Sequence, residues 1–498
     1  MTTSLISALL QQCEKSPDAC ALTGSQHTLS YQQLAMAIEQ VGAQLSTIPC
    51  ITLGLALDNS PLWAVLDLAG LSAGKVMIPL PFFFSAEQIA HSIRDAGISC
   101  ILTDQPDLYE KILASTGIEI DTSYTHHLSG QALTELRLLN IAEKRWPQGT
   151  VKVTYTSGTT GHPKGVCLSA ESLYRVAKSL LTATEGNPGD RHVSVLPLST
   201  LLENLAGVYV PLLAGASCHL LPLASVGLSG SSGLDVQKML GALIGAGATT
   251  TILTPQLLHA QIAAIEAGHP KPEHLRFVAI GGASVSERLL QRAEALALPV
   301  FEGYGLSECN SVVSLNTPRA RRIGSVGKPL PHVTIKFAED GEILVSGAPL
   351  LGYIGEAAVP AGEFWPTGDI GHLDDEGYLH LSGRKKNIFI TSFGRNVSPE
   401  WVERELTLHP AIAQAAVFGE ARPYNVAVIV PRGNVPEAAI DQAIAEANLA
   451  LPDYAQVKSW IAATAPFLPQ NGQLTANGRL KRDAILAQYQ AAIDKFYS

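Results

Sequence analysis

Charge is scarce in this sequence, and positive charge most of all. Only 16% of the 498 residues are charged, and 44 acidic residues against 34 basic ones give a formal net charge of −10. This negative balance argues against nucleic acid or an anionic membrane surface as the main partner. The N-terminus lacks the basic start and the long apolar stretch of a secretory signal. We therefore expect a cytoplasmic protein.

Long uninterrupted hydrophobic runs and paired cysteines are absent as well. The most apolar region, residues 62–84, is broken by Asp67, Lys75 and two prolines, so we predict no transmembrane segment. The seven cysteines form no CxxC pair and no metal-ligand spacing, which predicts free thiols in a reducing compartment. Cys167 and Cys309 lie beside motifs described below. No base motif accompanies either of them, so neither is expected to be a nucleophile.

Short apolar runs alternate with helix-length segments through the first 330 residues, which predicts an α/β fold. Strands are expected at 51–57, 99–102, 193–196, 250–253 and 277–280, and helices at 86–96 and 285–297. Residues 224–234, rich in glycine and serine, predict a flexible loop. After residue 386 a compact α+β pattern begins, in which Ser398 is expected to cap a helix that starts at Pro399.

The most informative segment is YTSGTTGHPKG, residues 155–165. Its glycines Gly158, Gly161 and Gly165 permit tight turns and close approach of a ligand to the backbone. The spacing is not that of a Walker loop, because no Gly-Lys-Ser/Thr follows. A solvated hairpin turn is the alternative, but the density of hydroxyl groups and the lysine favour a loop that holds polyphosphate. The side chains expected at the phosphates are Thr156, Ser157, Thr159, Thr160 and Lys164.

This segment resembles the phosphate loop of the adenylate-forming superfamily, which comprises acyl- and aryl-CoA synthetases, luciferases and the adenylation domains of peptide synthetases. Further segments resemble other motifs of that family, in the family's order: GGAS at 281–284, EGYGLSE at 302–308, TGDIG at 367–371, GRKKNIFITSFGRNVSPEWVE at 383–403 and NGQLTANGRLKR at 471–482. The resemblance covers nearly the whole chain and is closest to the fatty-acyl-CoA ligase branch. It implies a large N-terminal domain of layered α/β subdomains with a β-rich section, residues 1–385, and a small mobile α+β C-terminal lid domain, residues 386–498.

The resemblance implies an AMP-forming ligase that uses ATP and Mg²⁺. A carboxylic acid attacks the α-phosphate of ATP to give an acyl-adenylate and pyrophosphate. The thiol of CoA, or of the phosphopantetheine arm of a carrier protein, then displaces AMP. Two anions meet in the first step, so the site needs cations and oriented N–H groups. Two alternatives stay open: an acyl-AMP ligase with another acceptor, and a catalytically silent nucleotide- or acyl-binding homologue.

The resemblance also assigns roles to single residues. Glu308 matches the magnesium-binding glutamate, and an acidic oxygen ligand suits Mg²⁺ bound to phosphate. Tyr304 is expected to stack on adenine, and Asp369 is expected to accept hydrogen bonds from both ribose hydroxyls. Lys386 falls at the hinge position, where the backbone turns as the lid moves. The remaining positions expected along the nucleotide or the pantetheine arm are Gly281, Gly282, Ala283, Gly303, Gly305, Ser307, Arg384 and Gly394.

The sequence departs from the family pattern at two places. Where the family has a lysine that reaches the carboxylate and the α-phosphate, this chain has Arg479, and Lys481 follows two residues later. In an extended segment the two side chains would share one face, so both are candidates for the adenylation cation. Thr200 occupies a position where long-chain ligases tend to have histidine. No aspartate for an α-amino group is present nearby, so we expect an apolar aliphatic or aryl acid, held by Thr254, Pro255, Leu257 and residues 205–210.

Overall fold

The computed structural model describes residues 4–128, 131–156, 163–230, 233–283, 285–347, 349–360, 362–475 and 478–497. It confirms the predicted α/β class. In the described part of the chain no helix combines the length and the apolar character needed to cross a membrane. Residues 1–385 are referred to below as the large domain and residues 386–498 as the lid.

The large domain contains the helices α1 (Leu5–Lys15), α2 (Tyr31–Thr47), α3 (Pro61–Ser72), α4 (Ala86–Ala96), α5 (Pro106–Ser115), α6 (Ala170–Ala183), α7 (Val210–Ala214), α8 (Val236–Gly245), α9 (Pro255–Glu266) and α10 (Glu287–Ala295). The lid contains α11 (Pro399–Thr407), α12 (Glu437–Asn448) and α13 (Arg482–Asp494). A π-helical turn, Glu203–Tyr209, precedes α7, and short 3₁₀ turns occupy Ser307–Cys309 and Asp453–Ala455.

The strands of the large domain are β1 (Cys20–Thr23), β2 (Thr28–Ser30), β3 (Thr52–Ala56), β4 (Val76–Pro79), β5 (Cys100–Thr103), β6 (Ile120–Leu128), β7 (Gln131–Leu138), β8 (Thr150–Thr156), β9 (Lys164–Ser169), β10 (Arg191–Val193), β11 (Ser217–His219), β12 (Leu228–Ser229), β13 (Gly233–Leu234), β14 (Thr250–Leu253), β15 (Phe277–Ile280), β16 (Val300–Tyr304), β17 (Ser314–Leu315), β18 (Lys328–Pro329), β19 (Thr334–Phe337), β20 (Glu342–Ser346), β21 (Gly352–Tyr353), β22 (Trp365–Leu373) and β23 (Leu379–Arg384). Those of the lid are β24 (Phe389–Ile390), β25 (Asn396–Val397), β26 (Ile412–Phe418), β27 (Asn425–Pro431) and β28 (Val457–Ala462).

Two large sheets form the body of the large domain. One has the order β18-β17-β16-β15-β14-β10-β11-β1-β2 and the other β21-β9-β8-β4-β3-β5-β7-β6. A buried cluster of apolar side chains from both sheets also includes residues of α1, α2, α3 and α6, so these helices pack between the sheets. Helices α4 and α5 cover the outer face of the second sheet, and α8, α9 and α10 cover that of the first. Burial on both faces explains why their strands read as continuous apolar runs.

A smaller four-stranded antiparallel sheet, β19-β20-β22-β23, follows in the chain and is the predicted β-rich section. The lid is built on the sheet β26-β27-β28, with α11 and α12 on one face and α13 on the other. The hairpin β24-β25 stands between these two units. The chain thus reaches the lid directly from strand β23, whose last residue is Arg384.

A buried polar cluster ties the second sheet to the π-helical turn. The Lys152 ammonium group on β8 lies 2.8 Å from the Asp67 carboxylate on α3, and both side chains are almost fully buried. Tyr209 donates a hydrogen bond of 2.6 Å to Asp67, and the side chain of Asn204 bonds to both charged groups. Buried charges need such partners, so this cluster fixes α3, β8 and the π-helical turn relative to one another.

Two local expectations need correction. Residues 224–234 are not simply an irregular loop, because β12 and β13 pair within them as a short antiparallel hairpin. Ser398 does precede α11, but its hydroxyl makes no capping hydrogen bond to the helix backbone. The hydroxyl donates instead to the Glu400 carboxylate at 3.1 Å, which leaves the first turn of α11 without a side-chain cap.

Candidate active site

A cleft of about 3440 Å³ lies where the large domain meets the lid. Its walls include the ends of β15 and β16, the 3₁₀ turn at 307–309, parts of β22 and β23, and Thr475 with residues 478–481 of the lid. Most of the predicted site residues lie around this cleft. The carboxyl ends of neighbouring parallel strands are a usual position for ligand sites in open α/β sheets.

Asp369 on β22 stands at the centre of a hydrogen-bonded group. Its carboxylate accepts a bond of 2.6 Å from the Tyr304 hydroxyl and lies 2.8 Å from Nε of Arg384. Burial raises the pKa of the Asp369 carboxyl, and the Arg384 charge opposes that rise. Tyr304 itself is buried among apolar side chains at the end of β16. Three residues expected at the nucleotide are therefore in direct contact.

The glycines beside Tyr304 are required by close backbone contacts. A Cβ atom at Gly305 would lie 1.6 Å from the carbonyl oxygen of Ser311, so no other residue fits there without a backbone shift. Gly303 is confined by the side chain of Leu315. Gly282 has a φ of +83° with open space around it, and together with Ala283 it is exposed in the cleft. Gly281, half-buried, faces the carbonyl oxygen of Gly303.

Glu308 and Lys164 are linked through Tyr353, a residue that the motifs did not indicate. The Tyr353 hydroxyl donates a hydrogen bond of 2.9 Å to the Glu308 carboxylate. The Lys164 ammonium group lies 4.7 Å from the centre of the Tyr353 ring and 3.3 Å from the Glu356 carboxylate. Strand β21, which carries Tyr353, pairs with β9 next to Lys164. A cation and a carboxylate thus face the cleft on either side of one aromatic ring.

The phosphate loop itself is described only at its ends. Thr156 pairs with Lys164 across β8 and β9, so the two ends of the loop are held together. Ser157, Gly158, Thr159, Thr160 and Gly161 lie outside the described residues. Gly165 is confined between the side chains of Ile354 and Val153.

The lid contributes Arg479 to the cleft. Its guanidinium group approaches the carbonyl oxygen of Gly282 at 3.5 Å. The side chain keeps an exposed surface because the cleft is open, yet it is surrounded by atoms of both domains. Loss of solvation and the nearby Arg384 charge lower the pKa of Arg479, while the charges of Asp369 and Glu308 oppose this. The arginine therefore stands among the residues expected at the nucleotide.

Lys481 follows Arg479 by two residues and also lines the cleft. After the turn at Gly478, which has a φ of +75°, the segment is extended, because Leu480 pairs with Leu474 in an antiparallel bridge flanked by backbone hydrogen bonds. Among the described residues the Lys481 ammonium group has no hydrogen-bond or ion-pair partner, whereas Arg479 contacts the large domain. The prediction that both side chains are candidates for the adenylation cation therefore stays a prediction.

Of the remaining predicted positions, Lys386 and Ser307 line the cleft and Gly394 does not. Gly394 has a φ of +71° in the exposed turn 392–396, with nothing within 4 Å of a Cβ added there. Lys386 is exposed in a turn at 385–387, directly after β23. Ser307 is half-buried in the 3₁₀ turn that also carries Glu308.

Some of the residues expected to hold the acid line the cleft, and others are buried in the protein core. Ala206, Val210, Pro255 and Leu257 line the cleft, whereas Leu205, Val208 and Tyr209 are buried in the protein core. The Thr254 hydroxyl caps α9 by accepting from Leu257 N–H, and Thr200 donates to the carbonyl of Pro197. Both hydroxyls are therefore engaged within the protein.

A buried hydrogen-bonded pair of side chains lies behind this wall. His192 lies 3.0 Å from Glu203 on the π-helical turn, and its other ring nitrogen contacts the Thr250 hydroxyl. A Cβ atom at Gly207 would lie 2.3 Å from the Glu203 carboxylate, so glycine is needed for the pair to form.

The cysteines beside the motifs have no reactive environment. Cys167 and Cys309 are fully buried. Burial raises the pKa of Cys167 to about 11 and that of Cys309 further. A thiol of this kind stays protonated at neutral pH and is inert as a nucleophile.

Comparison with curated proteins finds several CoA ligases. The chain is 25% identical to the long-chain-fatty-acid–CoA ligase FadD15 of Mycobacterium tuberculosis, over 88% of this chain and 86% of the relative. It is 29% identical to the indoleacetate–CoA ligase of Aromatoleum aromaticum, over 83% and 86%. With the 2-succinylbenzoate–CoA ligase of Bacillus subtilis it shares 28% identity, over 82% and 84%.

Solved structures show the same fold. The anthranilate CoA ligase AuaEII in complex with anthranoyl-AMP superimposes with a TM-score of 0.81 at 20% identity, over 99% of this chain and 98% of that chain. The o-succinylbenzoate CoA synthetase MenE of Bacillus subtilis with ATP and magnesium ion gives 0.74 at 24% identity, over 96% and 98%.

Family models account for almost the entire chain. The model described as AMP-binding enzyme matches residues 9–356, and the model described as AMP-binding enzyme C-terminal domain matches residues 386–498. The first match alone covers well over half of the sequence, and it includes Lys164, Tyr304 and Glu308. This chain therefore belongs to the family of AMP-binding enzymes.

Proposed function

We propose that this protein uses ATP to convert an apolar aliphatic or aryl carboxylic acid to an acyl-adenylate and then transfers the acyl group to the thiol of CoA, with release of pyrophosphate and AMP. The observation that carries the proposal is that Arg479 of the lid reaches the carbonyl oxygen of Gly282 in the same cleft that Asp369 and Glu308 of the large domain line. Adenylate formation brings a carboxylate to a polyphosphate, so the site needs cations that offset the repulsion between these two anions.

The residues present fit a nucleotide. Asp369 offers a buried carboxylate whose orientation is held by Tyr304 and Arg384, and a carboxylate can accept bonds from two neighbouring hydroxyls. Backbone segments at Gly281–Gly282 and Gly303–Gly305 carry no side chains that would fill the cleft. Tyr304 lies next to these glycines, which supports its assignment to the adenine side of the site.

The donor set also fits Mg²⁺. Glu308 offers a half-buried carboxylate oriented by Tyr353, and Mg²⁺ in such enzymes is usually held by one or two carboxylates plus phosphate oxygens. When bound, the ion would neutralise phosphate charge and polarise the bonds to phosphorus. Lys164 stands beside the same tyrosine and would add a fixed positive charge at the phosphates.

Arg479 is assigned to the adenylation step itself. A guanidinium remains cationic at neutral pH even when its pKa is lowered, and the carboxylate and the α-phosphate would both gain from it as negative charge accumulates. It transfers no proton, so exchanging a lysine for an arginine keeps the electrostatic role. Lys481 is assigned no role in this step.

The apolar wall supports the substrate class. Ala206, Val210, Pro255 and Leu257 line the cleft, and the hydroxyls of Thr200 and Thr254 are bonded within the protein. A polar substituent on the acid would find no free partner on these side chains. The alternative acceptor of the acyl group is the phosphopantetheine thiol of a carrier protein, which the experiment below compares with CoA.

A panel of acids tests the proposal. Aliphatic acids of increasing length and simple aryl acids are offered with ATP and Mg²⁺, and acid-dependent pyrophosphate release is measured. Mass analysis of the products, with CoA or with a carrier protein bearing phosphopantetheine, identifies the acceptor. Free acyl-adenylate without consumption of thiol would instead indicate an acyl-AMP ligase. ATP binding without pyrophosphate release for any acid would contradict the proposal and favour a silent homologue.

A further inference from the structure

Two lid residues contact the same short segment of the large domain. Arg479 reaches the carbonyl oxygen of Gly282, and Glu405 accepts a hydrogen bond of 3.0 Å from the hydroxyl of Ser286. Gly282 and Ser286 both belong to the segment that joins β15 to α10. The lid orientation that brings Arg479 into the cleft is thus also the orientation that forms the Ser286–Glu405 bond.

The Ser286–Glu405 contact is buried on both sides. Ser286 is 1% exposed and Glu405 is 5% exposed, so water does not compete for this hydrogen bond. A buried carboxylate that loses its donor keeps its desolvation penalty, which makes the contact costly to break without movement of the lid. Ser286 also caps α10 by accepting from Arg288 N–H, so its position is fixed by the large domain.

The charges around Glu405 depend on the lid orientation as well. Nε of Arg404 lies 3.6 Å from the Glu405 carboxylate. Burial raises the pKa of Glu302 on β16 to about 8, and the charge of Arg404 opposes this rise across the domain boundary. One lid arginine therefore lies between a lid carboxylate and a carboxylate of the large domain. Moving the lid would separate Arg404 from Glu302, whereas Arg404 and Glu405 lie on one helix and would move together.

The second half-reaction requires a different arrangement. Gly394, assigned to the pantetheine arm, lies in an exposed turn with open space around it. While the turn that carries Gly394 lies outside the cleft, a thiol that passes this glycine cannot reach the nucleotide side. The orientation seen here suits adenylate formation and not thioester formation.

We propose that Glu405 is a positioning residue for adenylate formation: its hydrogen bond with Ser286 holds the lid where Arg479 meets the nucleotide. This inference rests on the proposed function, because it assigns the residue to one of the two half-reactions. Glu405 acts through Arg479 and contacts no reacting atom. It has no role in the transfer of the acyl group to the thiol.

The test measures the two half-reactions separately. Glu405→Ala removes the acceptor, and Glu405→Gln keeps an oxygen that can accept from Ser286. The matched control is Glu437→Ala, an exposed glutamate at the start of α12. Adenylate formation is followed by acid-dependent exchange of pyrophosphate into ATP. Thioester formation is followed from synthetic acyl-adenylate and CoA.

We expect Glu405→Ala to slow exchange by about tenfold, because a hydrogen bond to a charged group is worth at least that factor. Thioester formation should stay within about twofold, and Glu405→Gln should retain most of the exchange activity. A loss shared equally by both half-reactions would reduce Glu405 to a structural residue and overturn the inference. So would an Ala variant that exchanges as fast as the Glu437→Ala control.

A measurement without turnover keeps the inference separate from the proposed function. Amide hydrogen exchange of the peptide that spans residues 281–290 should be faster in Glu405→Ala than in the parent chain with ATP bound. Unchanged exchange there would overturn the inference even if the enzyme is active. Failure of the parent chain to release pyrophosphate with any acid would count against the proposed function, while the amide comparison would still decide the role of Glu405.

Discussion

The large domain and the lid contribute to the cleft in different ways. On the large-domain side, Asp369, proposed to bind the ribose, is held by a tyrosine, an arginine and the strand that carries it. On the lid side, Arg479, proposed as the adenylation cation, projects from a tight turn and touches one carbonyl oxygen. The group assigned to binding is thus held by several contacts, whereas the group assigned to the reaction is held to the large domain by one. We therefore expect mutations on the large-domain side to weaken nucleotide binding and mutations on the lid side to slow adenylate formation.

The largest effect should come from Arg479→Ala. We expect acid-dependent ATP–pyrophosphate exchange to fall by about 10²–10³-fold, the usual loss when one group aimed at developing charge is removed. Thioester formation from acyl-adenylate should be nearly unchanged. Arg479→Lys should recover part of the activity because the positive charge remains.

Lys481→Ala is the matched control for that variant. We expect it to exchange within about threefold of the parent chain, since its ammonium group has no partner among the described residues. If Lys481→Ala is the more severe substitution, the assignment of the adenylation cation to Arg479 is wrong.

Asp369→Asn should damage binding more than chemistry. The amide keeps one acceptor oxygen but loses the charge, so the dissociation constant for AMP should rise by about 10–100-fold. Isothermal titration measures it. Asp340→Asn, an exposed aspartate paired with Lys385, serves as the control. An unchanged AMP affinity in Asp369→Asn would place the ribose elsewhere.

Glu302 should make stability depend on pH. Its pKa rises from 4.5 to about 8 in the folded protein, so between these values the native state holds a proton that the unfolded chain has released. The free energy of unfolding should therefore fall as the pH rises, by about 2 kcal/mol between pH 6 and pH 8. Urea unfolding at several pH values measures this slope. Glu302→Gln should flatten it, and an equally steep slope in that variant would contradict the assignment.

The smallest effect should come from Tyr353→Phe. This change removes the hydroxyl that orients Glu308 while the ring beside Lys164 remains, so the apparent affinity for Mg²⁺ should weaken by about 1 kcal/mol. Titration of pyrophosphate release with Mg²⁺ detects it, and Tyr124→Phe, on an exposed strand position, is the control. A larger effect of Tyr124→Phe would indicate a general loss of stability.

The elements whose bounds were predicted best from the sequence are those determined by residues that are close together in the chain. The helix at Ala86–Ala96 begins at a Ser85 capping box and ends at Gly97 with φ of +62°, and its bounds match the prediction. The strands Thr250–Leu253 and Phe277–Ile280 also match, because buried parallel strands read as short apolar runs. Ser398 shows the limit: as a cap its hydroxyl would accept from a backbone N–H of α11, but it donates to the Glu400 side chain and accepts no such bond.

The site was predictable where motifs are contiguous and not where contacts join distant segments. Tyr304, Glu308 and Asp369 lie in recognisable motifs. Tyr353 is 45 positions from Glu308, and Ser286 is 119 positions from Glu405, so neither contact leaves a pattern in the sequence. The preference for Arg479 over Lys481 rests on the contact of Arg479 with the carbonyl oxygen of Gly282, 197 positions away, which alternation along an extended segment does not anticipate.

The buried cluster around Lys152 has a consequence for substrate range. It joins the strand that leads into the phosphate loop to Asn204 and Tyr209, which flank the wall assigned to the acid. Reshaping that wall through either residue would therefore disturb the strand that leads into the loop proposed to hold the triphosphate. Substitutions at Ala206 and Val210, which line the cleft but do not belong to this cluster, should therefore change the preferred acid with the least loss of catalysis.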